Sequence, residues 1–332
     1  RKGESPSSLW LGVSNDGVSF NVTKQLSSGT NGKTPTSFPG PSLDGHMNVI
    51  FDEVTQRWIG FLRCAPSAQT WPEGREPDRV QCYTESSGAN YLTSTWSLPR
   101  PTGLNTSFGY QPDSHVAFRY ANLWLAFTNT FNPSQNKSAA LPPGQSNMVL
   151  SWSADGRHWE TIEPNESFIK FVPGSGQWDC CSVFGAKQDP ENTPEFERGE
   201  ATFPLFYAGC NGRFFGPRAC GLGRVSVGRH AFAGLYNQHR TEATEVEIAP
   251  TFVSTGKLKV TVGGSGAVRV SVVGDSSMSF HRCTPIRNAT EVEVVWTTAL
   301  EVQGDGLHAY RGGAVGLVFL LDPGAVLWAF HI

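Results

Sequence analysis

Three aspartates stand at matching positions in the sequence, each just before an apolar segment. They are Asp44 in DGHMNVIFDE, Asp113 in DSHVAFRY and Asp179 in WDCCSVFGA, and the steps between them are 69 and 66 residues. Carboxyl groups from separate segments that meet at one place can divide acid and base roles, because like charges held close together shift their pKa values apart. An aspartate at the start of a strand can equally cap a turn, so the pattern leaves a purely structural role open.

A second motif recurs with nearly the same period. Residues 14–20 and 153–159 share the pattern S-x-D-G-x-x-aromatic after an apolar segment, and weaker copies occupy 80–96 and 222–232. The turn serines fall near positions 14, 86, 153 and 226, in steps of 72, 67 and 73 residues. We expect the aspartates of this motif, at positions 16 and 155, to hold a hairpin at an outer rim rather than to do chemistry.

The two series interleave and so define the elements that position these side chains. Each unit reads as an inner strand headed by aspartate, a hairpin, a second strand, a long polar loop, a third strand, the S-x-D-G turn and an edge strand. Four antiparallel strands per repeat are typical of a β-propeller blade. After residue 240 the pattern changes to short alternating strands between glycine-rich turns, which favours a β-sandwich. We therefore predict an all-β chain with a propeller domain over 1–240 and a sandwich domain over 241–332.

The composition agrees with an all-β chain and excludes two classes of partner. Glycine and proline make up 58 of 332 residues and only 17% of residues are charged, so long exposed helices are not expected. Lys and Arg number 26 against 29 Asp and Glu, which gives no basic field for a nucleic acid or an anionic membrane. The longest apolar run, 314–321, is far shorter than the ~20 residues of a membrane-spanning helix.

Glycosylation signals favour a secreted protein. Five Asn-x-Ser/Thr sequences occur, about twice the number expected by chance, and their asparagines are Asn21, Asn105, Asn136, Asn165 and Asn288.

Seven cysteines favour the same compartment. Cys64 and Cys82 bracket one Pro/Gly-rich excursion, and Cys210 and Cys220 bracket another, which predicts two disulfides between neighbouring strands. Of the other three cysteines, at 180, 181 and 283, two could pair, leaving one thiol free or bonded to another chain. A reduced cytosolic chain with buried thiols is the alternative. No Cys-x-x-Cys or His-x-x-x-His spacing occurs, so no metal or cofactor is expected.

Taken together, these motifs resemble the five-bladed β-propeller glycoside hydrolases of the invertase and arabinanase/xylosidase group. The likeness rests on the S-x-D-G-x-x-W turns, the Asp-x-His at the head of inner strands and the expected C-terminal sandwich, and it covers nearly the whole chain. It implies a funnel at one end of the propeller axis, where acidic residues from separate blades converge on a sugar. It also implies a secreted, carbohydrate-active protein that hydrolyses or binds a glycan in that funnel.

Carried onto this chain, the resemblance implies that Asp44, Asp113 and Asp179 are the catalytic carboxylates. Glycoside hydrolysis needs one carboxyl group protonated as acid and one ionised as base or nucleophile. His46 and His115 follow their aspartates by two residues, on the same face of an extended strand, and would donate hydrogen bonds to sugar hydroxyls.

Two further residues complete the implied binding site. Trp178 would stack on a sugar ring. Arg63 would hold a carboxylate or sulfate of an acidic sugar, because a guanidinium matches such groups bidentately.

The chain departs from this family in two respects. No glutamate heads an inner strand, although the family's general acid is a glutamate, and only three complete units and the outer half of another precede the sandwich. A five-bladed ring would lack its first blade, so we expect an N-terminal chain or a neighbouring subunit to complete it. The alternative function is a non-catalytic extracellular glycoprotein that uses the propeller for carbohydrate binding or assembly, since fold does not decide activity.

Overall fold

The computed structural model of the chain describes sixteen stretches, which are residues 8–13, 15, 19, 21–28, 48–64, 80–90, 94–97, 99–104, 110–120, 123–132, 144–163, 166–169, 176–186, 190–213, 217–297 and 306–332. Within them the chain forms twenty β-strands and one short α-helix, α1 (Pro194–Glu197). The predicted all-β class is confirmed. Over the same stretches, no helix is long and apolar enough to cross a membrane.

The chain divides into two compact units. The first comprises Arg1–Thr193 and Pro204–Val225, and the second comprises Pro194–Phe203 and Ser226–Ile332. The division therefore falls nearer to residue 226 than to the expected boundary at 240, because the strand Leu235–Tyr236 pairs with the strand Ala325–His331.

The first unit contains a two-stranded hairpin and a four-stranded meander. The hairpin joins β1 (Ser8–Val13) to β2 (Asn21–Ser28). In the meander each strand pairs antiparallel with the next along the chain; its strands are β3 (Asn48–Asp52), β4 (Arg57–Cys64), β5 (Val80–Glu85) and β6 (Arg100–Pro101).

A second sheet contains two more meanders. The first of them consists of β7 (Gln111–Tyr120), β8 (Leu123–Phe131), β9 (Ser146–Ser153) and β10 (Glu160–Thr161). The other consists of β11 (Ser182–Gly185), β12 (Thr202–Cys210) and β13 (Cys220–Gly228). A single parallel pairing of Ser182 with Ser146 joins them. The repeated antiparallel meander is the structural unit that the sequence period predicts, and none of the sheets formed by the described strands closes on itself.

Apolar side chains fill the space between the first two meanders. Ile59 and Phe61 on β4 contact a cluster that includes Trp124 and Ala126 on β8 and Trp159 beyond β9. Residues two apart on a strand share a face, so one face of each sheet is buried. The first strands also meet directly, because the Ala117 N–H donates to Asn48 Oδ1 at 3.1 Å. Burial of these aromatic side chains stabilises the packing of adjacent meanders by roughly 1.5–3 kcal/mol each.

The second unit contains two antiparallel sheets. One has the order β14 (Leu235–Tyr236), β20 (Ala325–His331), β16 (Lys259–Gly264), β18 (Ala289–Glu293), and the other has the order β15 (Thr244–Phe252), β19 (Ala314–Leu321), β17 (Val268–Val272). Their alternating apolar residues form one shared core, with Val260 and Val262 from the first sheet and Val270, Leu317 and Phe319 from the second. The period-two pattern of the sequence therefore marks the buried face of each sheet.

Candidate functional site

Asp113 lies in a β-bulge and is paired inside the protein. On β7, Pro112 pairs with Thr130 and Ser114 pairs with Asn129, so Asp113 is the extra residue between them. Its Oδ1 lies 2.6 Å from Nη1 of Arg63 on β4, and the two side chains are only 2% and 9% exposed. A bulge re-aims a side chain. Here Asp113 forms a salt bridge from its own sheet to the neighbouring one.

His115 is a core residue in this structure. Its ring is 1% exposed and lies 4.3 Å from the Trp159 ring, edge to face, and 5.1 Å from the Phe61 ring. Nδ1 is 2.8 Å from Thr128 Oγ1. Burial lowers the pKa of His115 to about 3, so the imidazole is neutral at physiological pH. The expected contact with sugar hydroxyls is not available to this buried ring. The bulge at Asp113 supplies the reason, because it interrupts the two-residue alternation from which the shared face was inferred.

Buried polar atoms surround the Asp113 end of the sheet. Asn129 Oδ1, Thr130 Oγ1, Ser146 Oγ and Asn147 Oδ1 are buried without a hydrogen-bond partner among the described residues. The strand register places Thr130 opposite both Pro112 and Asn147, next to the bulge. A buried polar atom without a partner is costly. Such a cluster suits ordered water or a polar ligand.

A second carboxylate lies in the turn before β11. Asp179 Oδ2 accepts a hydrogen bond of 2.7 Å from the Tyr207 hydroxyl on β12. Burial, together with this hydrogen bond and the charge of Asp179, raises the pKa of Tyr207 to about 12. The Trp178 ring stacks against Tyr207 with a centroid distance of 5.8 Å and an interplanar angle of 25°, and Trp178 is 44% exposed.

Glycines make room for these two rings. A Cβ atom on Gly209 would lie 2.5 Å from the Asp179 Cβ and 2.8 Å from the Trp178 ring, and one on Gly221 would lie 3.3 Å from Trp178. A Cβ atom on Gly223 would overlap Tyr207. We call Trp178 and Tyr207, lying on these glycines, the aromatic shelf. Any side chain at Gly209 or Gly223 would displace it.

Two disulfides lie next to the turn that carries Trp178 and Asp179. Cys180 is bonded to its neighbour Cys181, and Cys210 is bonded to Cys220, as the sequence spacing predicts for the second pair. The two are adjacent, because the Cys181 N–H donates to the Cys210 carbonyl at 3.2 Å. This hydrogen bond ties the end of the turn before β11 to β12, which the second disulfide in turn links to β13.

The other cysteines differ in state. Cys82 is disulfide-bonded, while the side chain of its predicted partner Cys64 lies outside the described residues. Cys283 is free and buried.

The inner strands of the three meanders lie side by side. Cα atoms of β7 come within 8 Å of Cα atoms of both β3 and β11. Asp113 lies on β7 and Asp179 directly precedes β11. Asp44 and His46, which precede β3, lie outside the described residues. The structure thus brings together two of the three segments that carry the candidate carboxylates and leaves the third untested.

The aspartate of the S-x-D-G turn has the structural role expected of it. Asp155 Oδ1 accepts from the backbone N–H groups of Arg157 at 2.7 Å and His158 at 2.8 Å. Burial alone would raise the pKa of Asp155, but the hydrogen bonds from His158, Arg157 and Ser153 outweigh it and lower the pKa.

Tyr207 is the site residue that the sequence analysis missed. A signal was present, since glycines at 209, 221 and 223, which lie on β12 and β13, leave room for large rings. No spacing rule, however, pairs Tyr207 with an aspartate 28 positions earlier.

Two of the five glycosylation signals fall in the described part of the chain. Asn21 and Asn288 are exposed. The other three, at Asn105, Asn136 and Asn165, lie outside it. In that same part of the chain, no group of three or more His, Cys, Asp or Glu side chains is placed to hold a metal ion.

Comparison with known proteins gives distant structural likenesses only. No protein-family model matches the chain, and no curated protein matches it. Among solved structures, an N-acetylgalactosamine deacetylase from F. plautii in complex with blood group B trisaccharide is 15% identical with a TM-score of 0.41, over 58% of this chain and 52% of that one. A family 117 glycoside hydrolase produced by Zobellia galactanivorans is 10% identical with a TM-score of 0.37, over 86% and 88% of the two chains. An exo-β-1,3-galactanase from Phanerochaete chrysosporium with β-1,3-galactotriose is 10% identical with a TM-score of 0.29, over 98% and 90%.

The first of these matches spans about half the length of that protein. Likenesses at this level carry no assignment, so fold and function rest on the geometry of the chain itself.

Proposed function

We propose that this chain is a secreted, carbohydrate-active glycoprotein that binds a glycan at the aromatic shelf. The observation that carries the proposal is the pairing of the exposed Trp178 ring with the Asp179 carboxylate, which Tyr207 fixes in place at 2.7 Å. Sugar recognition combines an aromatic ring that stacks on C–H groups with a carboxylate that accepts hydrogen bonds from hydroxyls. Both are present, and neither needs to rearrange to meet a ligand.

The shelf is already organised in the free protein. Trp178 packs on Gly209 and Gly221, Tyr207 packs over Gly223, and a backbone hydrogen bond ties the end of the turn, at Cys181, to Cys210. A site ordered before binding loses little conformational entropy on binding, which favours affinity.

We assign hydrolysis as the second candidate function, with Asp44, Asp113 and Asp179 as its carboxylates. The observation in its favour is the side-by-side arrangement of β3, β7 and β11. Hydrolysis also needs a carboxylic acid that gives up a proton. In the structure Asp113 is already paired with Arg63, and Asp179 already accepts a hydrogen bond from Tyr207. Binding is therefore the better supported of the two.

The larger architecture belongs to the same proposal. Meanders that repeat along the chain and pack face to face support a five-bladed propeller, and the two sheets with one shared core support a sandwich. The disulfides and the exposed Asn21 and Asn288 support a secreted glycoprotein.

The shelf can be tested by binding of Trp178→Ala to a glycan array and by calorimetry with the retained oligosaccharide. We expect an affinity loss of about tenfold or more, because the stacking surface is removed. Phe206→Ala is the matched control, since Phe206 lies next to Tyr207 on the opposite face of β12 and is 40% exposed. Unchanged affinity in Trp178→Ala would refute the shelf as the binding site.

Hydrolysis is tested separately on the same oligosaccharide. Release of reducing ends by the wild type at saturating oligosaccharide, lost in Asp179→Asn at the same occupancy of the site, would establish the enzyme. Absence of turnover with intact binding would leave the binding function alone.

A further inference from the structure

A second pocket lies at the opposite end of the second meander from Asp113. Its volume is about 380 Å³, and its lining includes Trp152, Asp155, His158, Trp159 and Glu160. Asp113 lies on β7 at the end of the sheet where β9 begins, whereas the pocket lies at the end where β9 closes with Ser153. A strand of eight residues rises about 3.3 Å per residue, so β9 separates the two ends by about 23 Å along its own direction.

An exposed indole and a carboxylate stand side by side in this pocket. Trp152 on β9 pairs directly with Glu160 on β10, and residues directly opposite on antiparallel strands project from the same face. Trp152 is 36% exposed and Glu160 is also exposed. β10 pairs only with β9 among the described strands, so the face is open at that edge.

An oriented imidazole provides a third group. His158 Nδ1 lies 2.7 Å from Asp155 Oδ2, and the side chain is 81% exposed. With Nδ1 hydrogen-bonded to Asp155, Nε2 is the ring nitrogen left for a ligand. The orientation of the ring is therefore set by Asp155.

The charges of the lining restrict the kind of ligand. Among the described residues no lysine or arginine lines the pocket, and Arg157, next in sequence to the lining, is turned to Glu85 instead. An anionic sugar would therefore meet two carboxylates, Asp155 and Glu160, with no lysine or arginine to offset them. Asp155 is occupied by the donors of its own turn, so Glu160 is the carboxylate left to accept hydrogen bonds from a ligand.

We propose that this pocket is a second carbohydrate site that takes one neutral sugar ring. The ring stacks on Trp152, its hydroxyls donate to Glu160 and form a hydrogen bond with His158 Nε2, and the buried Trp159 forms the back wall. The aromatic shelf shares none of these residues. The inference therefore stands whether or not the shelf binds a glycan.

The test is binding of the intact protein to a glycan array that carries neutral, amine-bearing and acidic oligosaccharides. The binding variants are Trp152→Ala and Glu160→Gln, and Trp178→Ala serves as the control that alters only the shelf. We expect the wild type to retain neutral glycans. Their affinity should fall about tenfold in Trp152→Ala and in Glu160→Gln but not in Trp178→Ala.

A folding defect is separated from a binding defect by Trp152→Phe. This variant keeps an aromatic ring, and we expect it to retain affinity to within about threefold. Three results would overturn the proposal. The wild type could retain only amine-bearing glycans, it could retain no glycan at all, or the wild type and both pocket variants could retain neutral glycans equally.

Discussion

Arg157, in the S-x-D-G turn of one meander, binds Glu85 of the neighbouring meander through two nitrogen atoms. Nε and Nη2 lie 2.9 Å and 2.5 Å from Glu85 Oε1, and Nη2 lies 3.7 Å from Asp52 Oδ2. The turn that orients Arg157 also places Trp159, whose backbone N–H donates to the Thr102 carbonyl at 3.0 Å. This copy of the motif therefore joins its meander to the preceding one, in addition to closing its own hairpin.

The glycine of this turn is expected to resist substitution. Gly156 has φ +73°, and an added Cβ would lie 2.8 Å from the Trp124 ring. We expect Gly156→Ala to cost about 2–4 kcal/mol of unfolding free energy, from the backbone conformation and from overpacking together. Urea denaturation measures the loss.

Gly103 provides the matched control for that change. It has the same φ of +73° but nothing within 4 Å of an added Cβ, so Gly103→Ala should cost only about 1 kcal/mol. Equal losses for the two variants would show that the contact with Trp124 is not what requires glycine.

Removing only one partner of the ion pair between Arg63 and Asp113 should lower the free energy of unfolding strongly. Arg63→Ala leaves the Asp113 carboxylate buried at 2% exposure, and we expect a loss of about 3–5 kcal/mol. The double variant Arg63→Ala/Asp113→Ala should lose less than the two single changes together, because no uncompensated charge remains.

The surface pair of Lys257 and Glu293 is the control for this comparison. Its side chains are 49% and 39% exposed, and Lys257→Ala should change stability by less than about 1 kcal/mol. A loss of similar size for Arg63→Ala would mean that Asp113 is hydrated and not buried in solution.

The buried His115 predicts acid sensitivity. Its pKa is about 3 in the folded chain against 6.5 in the unfolded chain, so the unfolded chain binds the extra proton as the pH falls. The stability contributed by neutral His115 is fully present above pH 6.5 and is lost as the pH falls toward 3, with a slope of at most about 1.4 kcal/mol per pH unit.

The pH dependence of stability is tested by urea midpoints of the wild type and His115→Gln, measured between about pH 4 and 8. The variant should show a shallower decline on the acid side, and the exposed His281→Asn should follow the wild type. Parallel curves for wild type and His115→Gln would contradict the assignment.

The cysteines predict a definite pattern of reactivity. The bond between Cys210 and Cys220 closes a segment with a sequence separation of 10, and its removal in Cys210→Ser/Cys220→Ser should cost about 3 kcal/mol. Burial raises the pKa of the Cys283 thiol, so alkylation of Cys283 should be slow in the folded protein and fast after unfolding. Urea denaturation measures the stability loss, and peptide mapping after timed alkylation measures the labelling of Cys283. A free thiol at Cys210 in the same map would be inconsistent with the disulfide.

Local order was readable from the sequence because it depends on neighbours along the chain. The period near 70 residues identified the meanders, the alternation of valines identified the buried face of β17, and the S-x-D-G spacing identified Asp155 as a turn residue. Cysteines 10 residues apart, separated by turn-forming residues, identified the pair of Cys210 with Cys220. Each of these features is determined by residues within one segment or within two adjacent strands.

The roles of the site residues depended on contacts between segments far apart in sequence, so only the tertiary structure decided them. The sequence predicted that Asp113 and His115 share one face of an inner strand. The bulge on β7 instead turns Asp113 toward Arg63. His115 packs against Phe61 and Trp159. Tyr207 reaches Asp179 because glycines on β12 and β13 leave room for its ring. A bulge adds one residue to a strand and a missing Cβ adds a few ångströms of space. Neither changes the hydrophobic period from which the fold was predicted, and both determine which side chains meet.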